Sequence, residues 1–246
     1  MTLRDKTVLI TGGSKGIGQA VVEMMAEQGA NVIINYAHDE EAAKEVEASA
    51  LKHGVKALIV KADIANQSEV EAMFEMIKNE FASIDVLVNN AGLFYSGDSP
   101  DNMEAFEHVF QTNLFAQINV TNAARKLMHK GKLIFISSIH GKLGHGRPDA
   151  IAYSASKAAL NSYVKNLAKE LAPDILVNAL APGRTITPMW GNMSEEYKLE
   201  QESGQLIDRW IQPEEIADGV VFLAKNDAVC GEVLVIDGGM SLKVFG

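Results

Sequence analysis

One cysteine, Cys230, stands among 246 residues, so no disulfide can close within the chain and a disulfide-stapled secreted scaffold is excluded. Its apolar neighbours Ala228, Val229 and Val233 favour a buried structural thiol over a reactive one. Only 6 prolines occur, and no Pro- or Gly-rich stretch marks a linker, which leaves one domain. Positive charge is short, because 22 Lys+Arg face 32 Asp+Glu for a formal −10 at pH 7. That field disfavours nucleic acid, whose phosphates need clustered Lys and Arg, and it disfavours an anionic membrane surface. No apolar run is long enough to span a bilayer, and Met1 to Lys6 lack the apolar stretch of a signal peptide. A cytoplasmic protein is expected.

What the chain does have is alternation. Short apolar runs read as strands at Thr7–Ile10, Asn31–Asn35, Lys56–Lys61, Asp85–Val88, Lys132–Ile136, Ile175–Ala179 and Glu232–Ile236. Helical patterns read at Gln19–Gln28, Asp39–His53, Gln67–Phe81, Met103–Lys130 and Ile151–Leu171. Seven apolar strands mostly separated by helices predict an α/β fold: a Rossmann-like, doubly wound parallel sheet with helices on both faces. Arg184–Trp210 is the least patterned segment, and a long irregular stretch in a compact domain reads as a functional lid or a disordered loop.

Between the first strand and first helix lies Thr11-Gly12-Gly13-Ser14-Lys15-Gly16-Ile17-Gly18. Glycines there allow a tight turn and a close backbone approach to a pyrophosphate, which then sits on helix N–H groups. The spacing Gly-x3-Gly-x-Gly differs from the commonest dinucleotide fingerprint, so the strand-turn-helix context carries the reading. The second strand ends Asn35-Tyr36-Ala37 with no carboxylate to hold a ribose 2′-hydroxyl. Lys15 could neutralise a 2′-phosphate, which favours NADP(H) over NAD(H). The alternative makes Lys15 a solvated cation and gives the ribose to Asp39 or Glu40, although those acids suit the start of the next helix better. No metal is expected.

Tyr153 and Lys157 stand at i and i+4 of one helix, so phenol and ammonium share a face. A cation there would lower the tyrosine pKa and suit it to proton transfer. Ser138 ends a strand, and Asn113 lies in an earlier helix.

Together these residues resemble the short-chain dehydrogenase/reductase family over nearly the whole chain. The likeness rests on the glycine turn, Asn89-Asn90-Ala91-Gly92, Asn113, Ile136-Ser137-Ser138, Tyr153-x3-Lys157, Pro182-Gly183 and Asp237-Gly238-Gly239. It implies hydride transfer between nicotinamide and a carbonyl or alcohol carbon. Tyr153 would protonate the oxygen, and Ser138, or Ser137 in another register, would hydrogen-bond it. Lys157 would hold the ribose, and Asn113 would hold a water in the proton relay. Asn90 would border the cofactor, Asp63-Ile64 would meet its adenine, and Thr185 and Thr187 would lie near its nicotinamide. Dimers or tetramers are implied, with the helices around Met103–Lys130 and Tyr153–Leu171 at one interface.

Ser138 to Tyr153 is about two residues longer than the family's usual spacing, which predicts a bulged loop from Gly141 to Asp149. His140 and His145 there are either substrate contacts or solvated. Gly13 replaces a common Ala, read as a harmless loss of a methyl. The best overall match among relatives is with 3-oxoacyl-acyl-carrier-protein reductases. Acyl carrier protein is acidic, however, whereas Glu195, Glu196, Glu200, Glu202 and Asp208 crowd the lid. A small ketone, aldehyde or secondary alcohol is therefore the expected substrate, with the oxoacyl carrier second. A non-catalytic dinucleotide sensor would have no chemical need for Tyr153.

Overall fold

The computed structural model describes residues 1–246 except 96, 143–148, 192–193, 203 and 243–246, and leaves out the side chains of 197, 200 and 201. His145 and most of the expected loop bulge lie outside the described residues. β1 (Thr7–Ile10), β2 (Asn31–Tyr36), β3 (Ala57–Lys61), β4 (Val86–Asn89), β5 (Gly131–Ile136), β6 (Ile175–Pro182) and β7 (Val233–Ile236) form one sheet. Its order is β3-β2-β1-β4-β5-β6-β7, and every neighbouring pair is parallel.

Both faces are covered, and the strand residues divide between two cores with period two. Leu9, Ile33, Leu87 and Leu133 face α3 (Gln67–Glu80), α5 (Gln117–Ala124) and α6 (Ile151–Leu171). Val8, Ile10, Val32, Ile34, Val86, Val88 and Ile134 face α1 (Gly16–Glu27), α2 (Glu40–Leu51) and α8 (Pro213–Lys225). Double burial explains why these strands read as continuous apolar runs rather than as alternating ones. The chain winds outward one way from β1 and the other way from β4, so a crevice opens at the carboxyl ends of that central pair.

Several elements depart from the expected pattern. The helix read over Met103–Lys130 is α4 (Met103–Phe110), a π turn (Gln111–Ala116), α5 and a short 3-10 turn. The segment read as irregular contains α7 (Glu195–Glu202) and a 3-10 turn at Pro188–Trp190. The sequence of α7, EEYKLEQE, is polar nearly all round and has no apolar stripe to announce it. Cys230 is exposed, not buried. Gly231 beside it has φ +76°, and this turn carries the cysteine out of the core despite its apolar neighbours. Among the described residues no helix is long and apolar enough to cross a membrane.

Candidate active site

The crevice at the sheet's carboxyl edge encloses about 610 Å³. One end of it is the glycine turn. Gly12 and Gly16 hold φ +61° and +55°, a region that side chains rarely enter. A Cβ on Gly18 would stand 2.1 Å from the Gly12 carbonyl oxygen and 2.6 Å from Asn90 Nδ2. The turn is thus packed by necessity. α1 starts from Lys15 with no side-chain cap and no acidic residue in its first turn, whereas Asp39, Asn66 and Asn102 cap α2, α3 and α4. An uncapped helix start beside a glycine cradle fits a dinucleotide pyrophosphate, by N–H donation and dipole together.

The Gly18 contact carries a prediction. Gly18→Ala must push a backbone carbonyl aside, so it should lower stability by about 1–3 kcal/mol, the usual cost of overpacking. Dinucleotide affinity should fall at least tenfold as the turn opens. A calorimetric scan and a fluorescence titration check both; an unchanged titration would show that the turn is not the dinucleotide cradle. Gly13 is tighter than its sequence suggested, since an added methyl would meet Ile34 Cγ2 at 3.0 Å and Val22 Cγ2 at 3.2 Å.

Lys15 reaches the other side of the turn, where its Nζ pairs with Asp39 Oδ2 at 2.5 Å. Asp39 also caps α2 through the Ala42 N–H, and the lysine, then that N–H, hold its carboxyl below the usual carboxylate range. The helix-start role expected for Asp39 is what the structure shows.

Some residues expected at the cofactor do not line the crevice. Asn35 is buried, accepting from the Gly12 N–H at 3.4 Å and donating to the Ala62 carbonyl at 2.9 Å. It holds the glycine turn from behind. Tyr36 is buried at the end of β2, and Ile64 packs in the core. Ser14, Ala37 and Asp63 also stand off the lining. Asp63 folds back to accept from the Ala65 N–H. Lys15, Gly16, Ile17, Asn90, Ala91, Gly92, Pro182, Gly183, Thr185 and Thr187 do line it. Asn90 donates to the Thr11 and Gly12 carbonyls, so it braces the turn it borders.

Deeper in, Tyr153 from α6 meets Ser138 from the end of β5 through a side-chain hydrogen bond. Ser137 is excluded from that place because its hydroxyl donates to Asn161 Oδ1 at 2.6 Å. Asn161 in turn donates to the Gly141 carbonyl, closing a clamp on the loop that presents Ser138. Lys157 is 3% exposed; its Nζ donates to the Ile136 carbonyl at 2.8 Å and lies 5.8 Å from the Tyr153 ring centroid. Burial draws its pKa down to about 8.

The same burial raises the Tyr153 pKa, opposed by the Ser138 hydrogen bond. The expectation that Lys157 would leave the phenol with a lowered pKa is therefore corrected. Desolvation of the buried phenol is the larger cause, and it sets the sign of the shift. Asn113 is fully buried in the π turn, and its carboxamide is already engaged. It accepts from the Leu93 N–H at 2.8 Å and donates to the Leu93 carbonyl at 2.9 Å. That side chain clamps the loop that follows β4, so any water it serves must be held otherwise than by this occupied amide.

The outer end is apolar: Phe94, Ile139, Met189, Trp190 and Met240 line it beside His140. Phe94 and His140 meet the Tyr153 ring edge-on at 5.7 and 6.1 Å between centroids. Thr187, in the stem of the 184–210 segment, stands where a Cβ on Gly16 would meet it at 3.3 Å.

Known proteins share this arrangement. A family model described as enoyl-(acyl carrier protein) reductase matches residues 12–241. The 3-oxoacyl-(acyl-carrier-protein) reductase FabG of Aquifex aeolicus (strain VF5) is 39% identical over 97% of this chain and 98% of its own. The 3-oxoacyl-(acyl-carrier-protein) reductase of Synechocystis sp. PCC 6803 is 37% identical over the same shares, 97% and 98%. A short-chain dehydrogenase from Burkholderia cenocepacia J2315, solved in complex with NADP, superposes with a TM-score of 0.88 at 31% identity, covering 98% of this chain and 100% of that one. With the parallel sheet, the glycine turn and the Ser138, Tyr153 and Lys157 cluster in one crevice, this chain belongs to the short-chain dehydrogenase/reductase family of oxidoreductases.

Proposed function

We propose that the protein is an NADP(H)-dependent oxidoreductase that interconverts a ketone or aldehyde and its alcohol, with Tyr153 as general acid and base. The observation that carries this reading is the Ser138–Tyr153–Lys157 cluster at the floor of the crevice that begins at the glycine turn. When bound, the dinucleotide supplies or accepts the hydride at its nicotinamide.

The chain's own part is positioning and proton transfer. In reduction the Tyr153 O–H donates to the carbonyl oxygen while the Ser138 hydroxyl donates to the same atom and fixes its direction. The raised Tyr153 pKa keeps the phenol protonated through neutral pH, as an acid requires. Lys157 brings a buried cation to that site, stabilising the phenolate left behind and binding the ribose. The 184–210 segment, with Thr187 on the glycine turn and Trp190 on Trp210, is read as a lid that excludes water.

The apolar outer wall favours a small uncharged carbonyl substrate. The two acyl-carrier-protein reductase relatives favour a 3-oxoacyl thioester as the second reading. Following NADPH absorbance against ketones, aldehydes, sugars, steroids and 3-oxoacyl thioesters tests both. Turnover of none, with the dinucleotide bound, would leave a sensor. The reading includes a homodimer or homotetramer in the cytoplasm. The exposed Phe115 beside Phe110, and Phe222 on α8, suit burial between copies, and the exposed lone thiol suits a reducing compartment.

Cofactor choice gives a graded expectation. Lys15 comes to a 2′-phosphate already paired with Asp39, so the phosphate must share it. Lys15→Ala should weaken NADPH about three- to tenfold and NADH less than twofold, the modest scale of exposed ion pairs. Asp39→Asn keeps a good helix cap and should strengthen NADPH. Equal affinities for both cofactors in the unaltered protein would remove Lys15 from the phosphate site.

A further inference from the structure

We infer that Asp98 is a positioning residue for the catalytic tyrosine, acting as the helix cap that α6 does not supply from its own sequence; the inference rests on the proton-transfer role of Tyr153. α6 begins after Ala150, which offers no side-chain cap, and its first turn holds no acidic residue. Capping comes instead from 54 residues away. Asp98 Oδ1 accepts the Ala152 N–H at 2.9 Å, and Oδ2 accepts the Tyr153 N–H at 3.0 Å.

The carboxylate is 5% exposed, so both bonds are shielded from water. Charge-assisted bonds to free N–H groups, at the positive end of a helix dipole, are among the stronger anchors a protein has. They grip the backbone of the residue whose hydroxyl transfers the proton. The caps of α2, α3 and α4, by contrast, join neighbours in sequence and carry no such residue.

Asp98 also belongs to the loop between β4 and α4, which forms a wall of the crevice. Its own N–H donates to the Tyr95 carbonyl, and Phe94 packs edge-on to the Tyr153 ring at 5.7 Å. Asn102 fastens the far end of that loop, donating to the Gly97 carbonyl and capping α4 at the Ala105 N–H. Asp98 therefore couples the substrate wall to the phenol. One side chain thus ties that wall to the backbone of the acid.

The test is a double-mutant cycle with an exchange measurement. Asp98→Ala should lower kcat about 10- to 100-fold when Tyr153 is present, the scale of an ångström's misplacement of a catalytic group. In the Tyr153→Phe background the same change should cost less than threefold, because there is no proton donor left to misplace. Asp98→Asn keeps one acceptor oxygen and should fall between. It also decides the matter if the alanine variant does not fold.

Amide exchange should lose at least tenfold protection at Ala152 and Tyr153, with the rest of α6 unchanged. Equal losses of kcat in both backgrounds would mean general structural damage and overturn the inference. So would unaltered kcat, or unaltered protection at those two amides. Near-normal turnover in Tyr153→Phe alone would instead overturn the catalytic reading, and the exchange data would still decide whether Asp98 anchors the helix.

Discussion

Tyr153→Phe should lower turnover by about two to four orders of magnitude while leaving dinucleotide affinity nearly unchanged. The substitution keeps the ring, and with it the edge contacts to Phe94 and His140. What it removes is the one hydroxyl that shares a hydrogen bond with Ser138 and can give up a proton. The glycine turn and Lys157 stay in place, so binding has no reason to change. Direction of reaction adds a check in the unaltered enzyme. Reduction consumes the phenol's proton, so its rate should hold through neutral pH and fall as pH passes the raised tyrosine pKa. Oxidation needs the phenolate and should rise over the same interval. Stopped-flow rates with a substrate from the panel measure both. Turnover within tenfold of the unaltered protein in Tyr153→Phe would assign the proton to another group.

How far the sequence could foretell this site depends on whether a feature is written locally. The glycine turn was legible because positive φ at Gly12 and Gly16 and the absent Cβ at Gly18 each demand one residue type. The strands were legible because a doubly covered sheet requires apolar residues on both faces. Their ends were less so: β6 runs on to Pro182, beyond the expected Ala179. The π turn at Gln111–Ala116 was not read, because a single widened turn shifts the apolar register too briefly to stand out from an α-helical pattern. Asp98 could not be read as a cap, because capping signals are sought next to the helix and this one arrives from 54 residues away. The i, i+4 spacing placed Tyr153 and Lys157 together but not the sign of the tyrosine's shift. Burial decides that sign, and burial depends on the whole fold.

Lys157→Met should stabilise the protein and inactivate it. The ammonium is buried with its pKa drawn from 10.5 to about 8, so the folded state binds that proton less tightly than the unfolded state does. Below about pH 8 both states carry the charge, and the full cost of burying it falls on the fold. Between about 8 and 10.5 the unfolded chain holds more protons, so stability should climb with pH across that window. Methionine has a similar length and no charge, which removes the cost but also the bond to the Ile136 carbonyl. The difference should be about 1–3 kcal/mol of added stability at neutral pH, allowing roughly 1 kcal/mol for the lost bond. In a chain of this size that amounts to a Tm several degrees higher. The climb in stability above pH 8 attributable to Lys157 should vanish in the variant. Turnover should fall at least tenfold, because the phenolate formed at Tyr153 loses its only buried cation within the site's described residues. Calorimetry from pH 7 to 10.5 measures the stability arm, and a lower Tm for Lys157→Met would show that the lysine holds the fold together. The opposite result, a firmer and idle protein, is what a cation kept in a dry site for chemistry should leave behind.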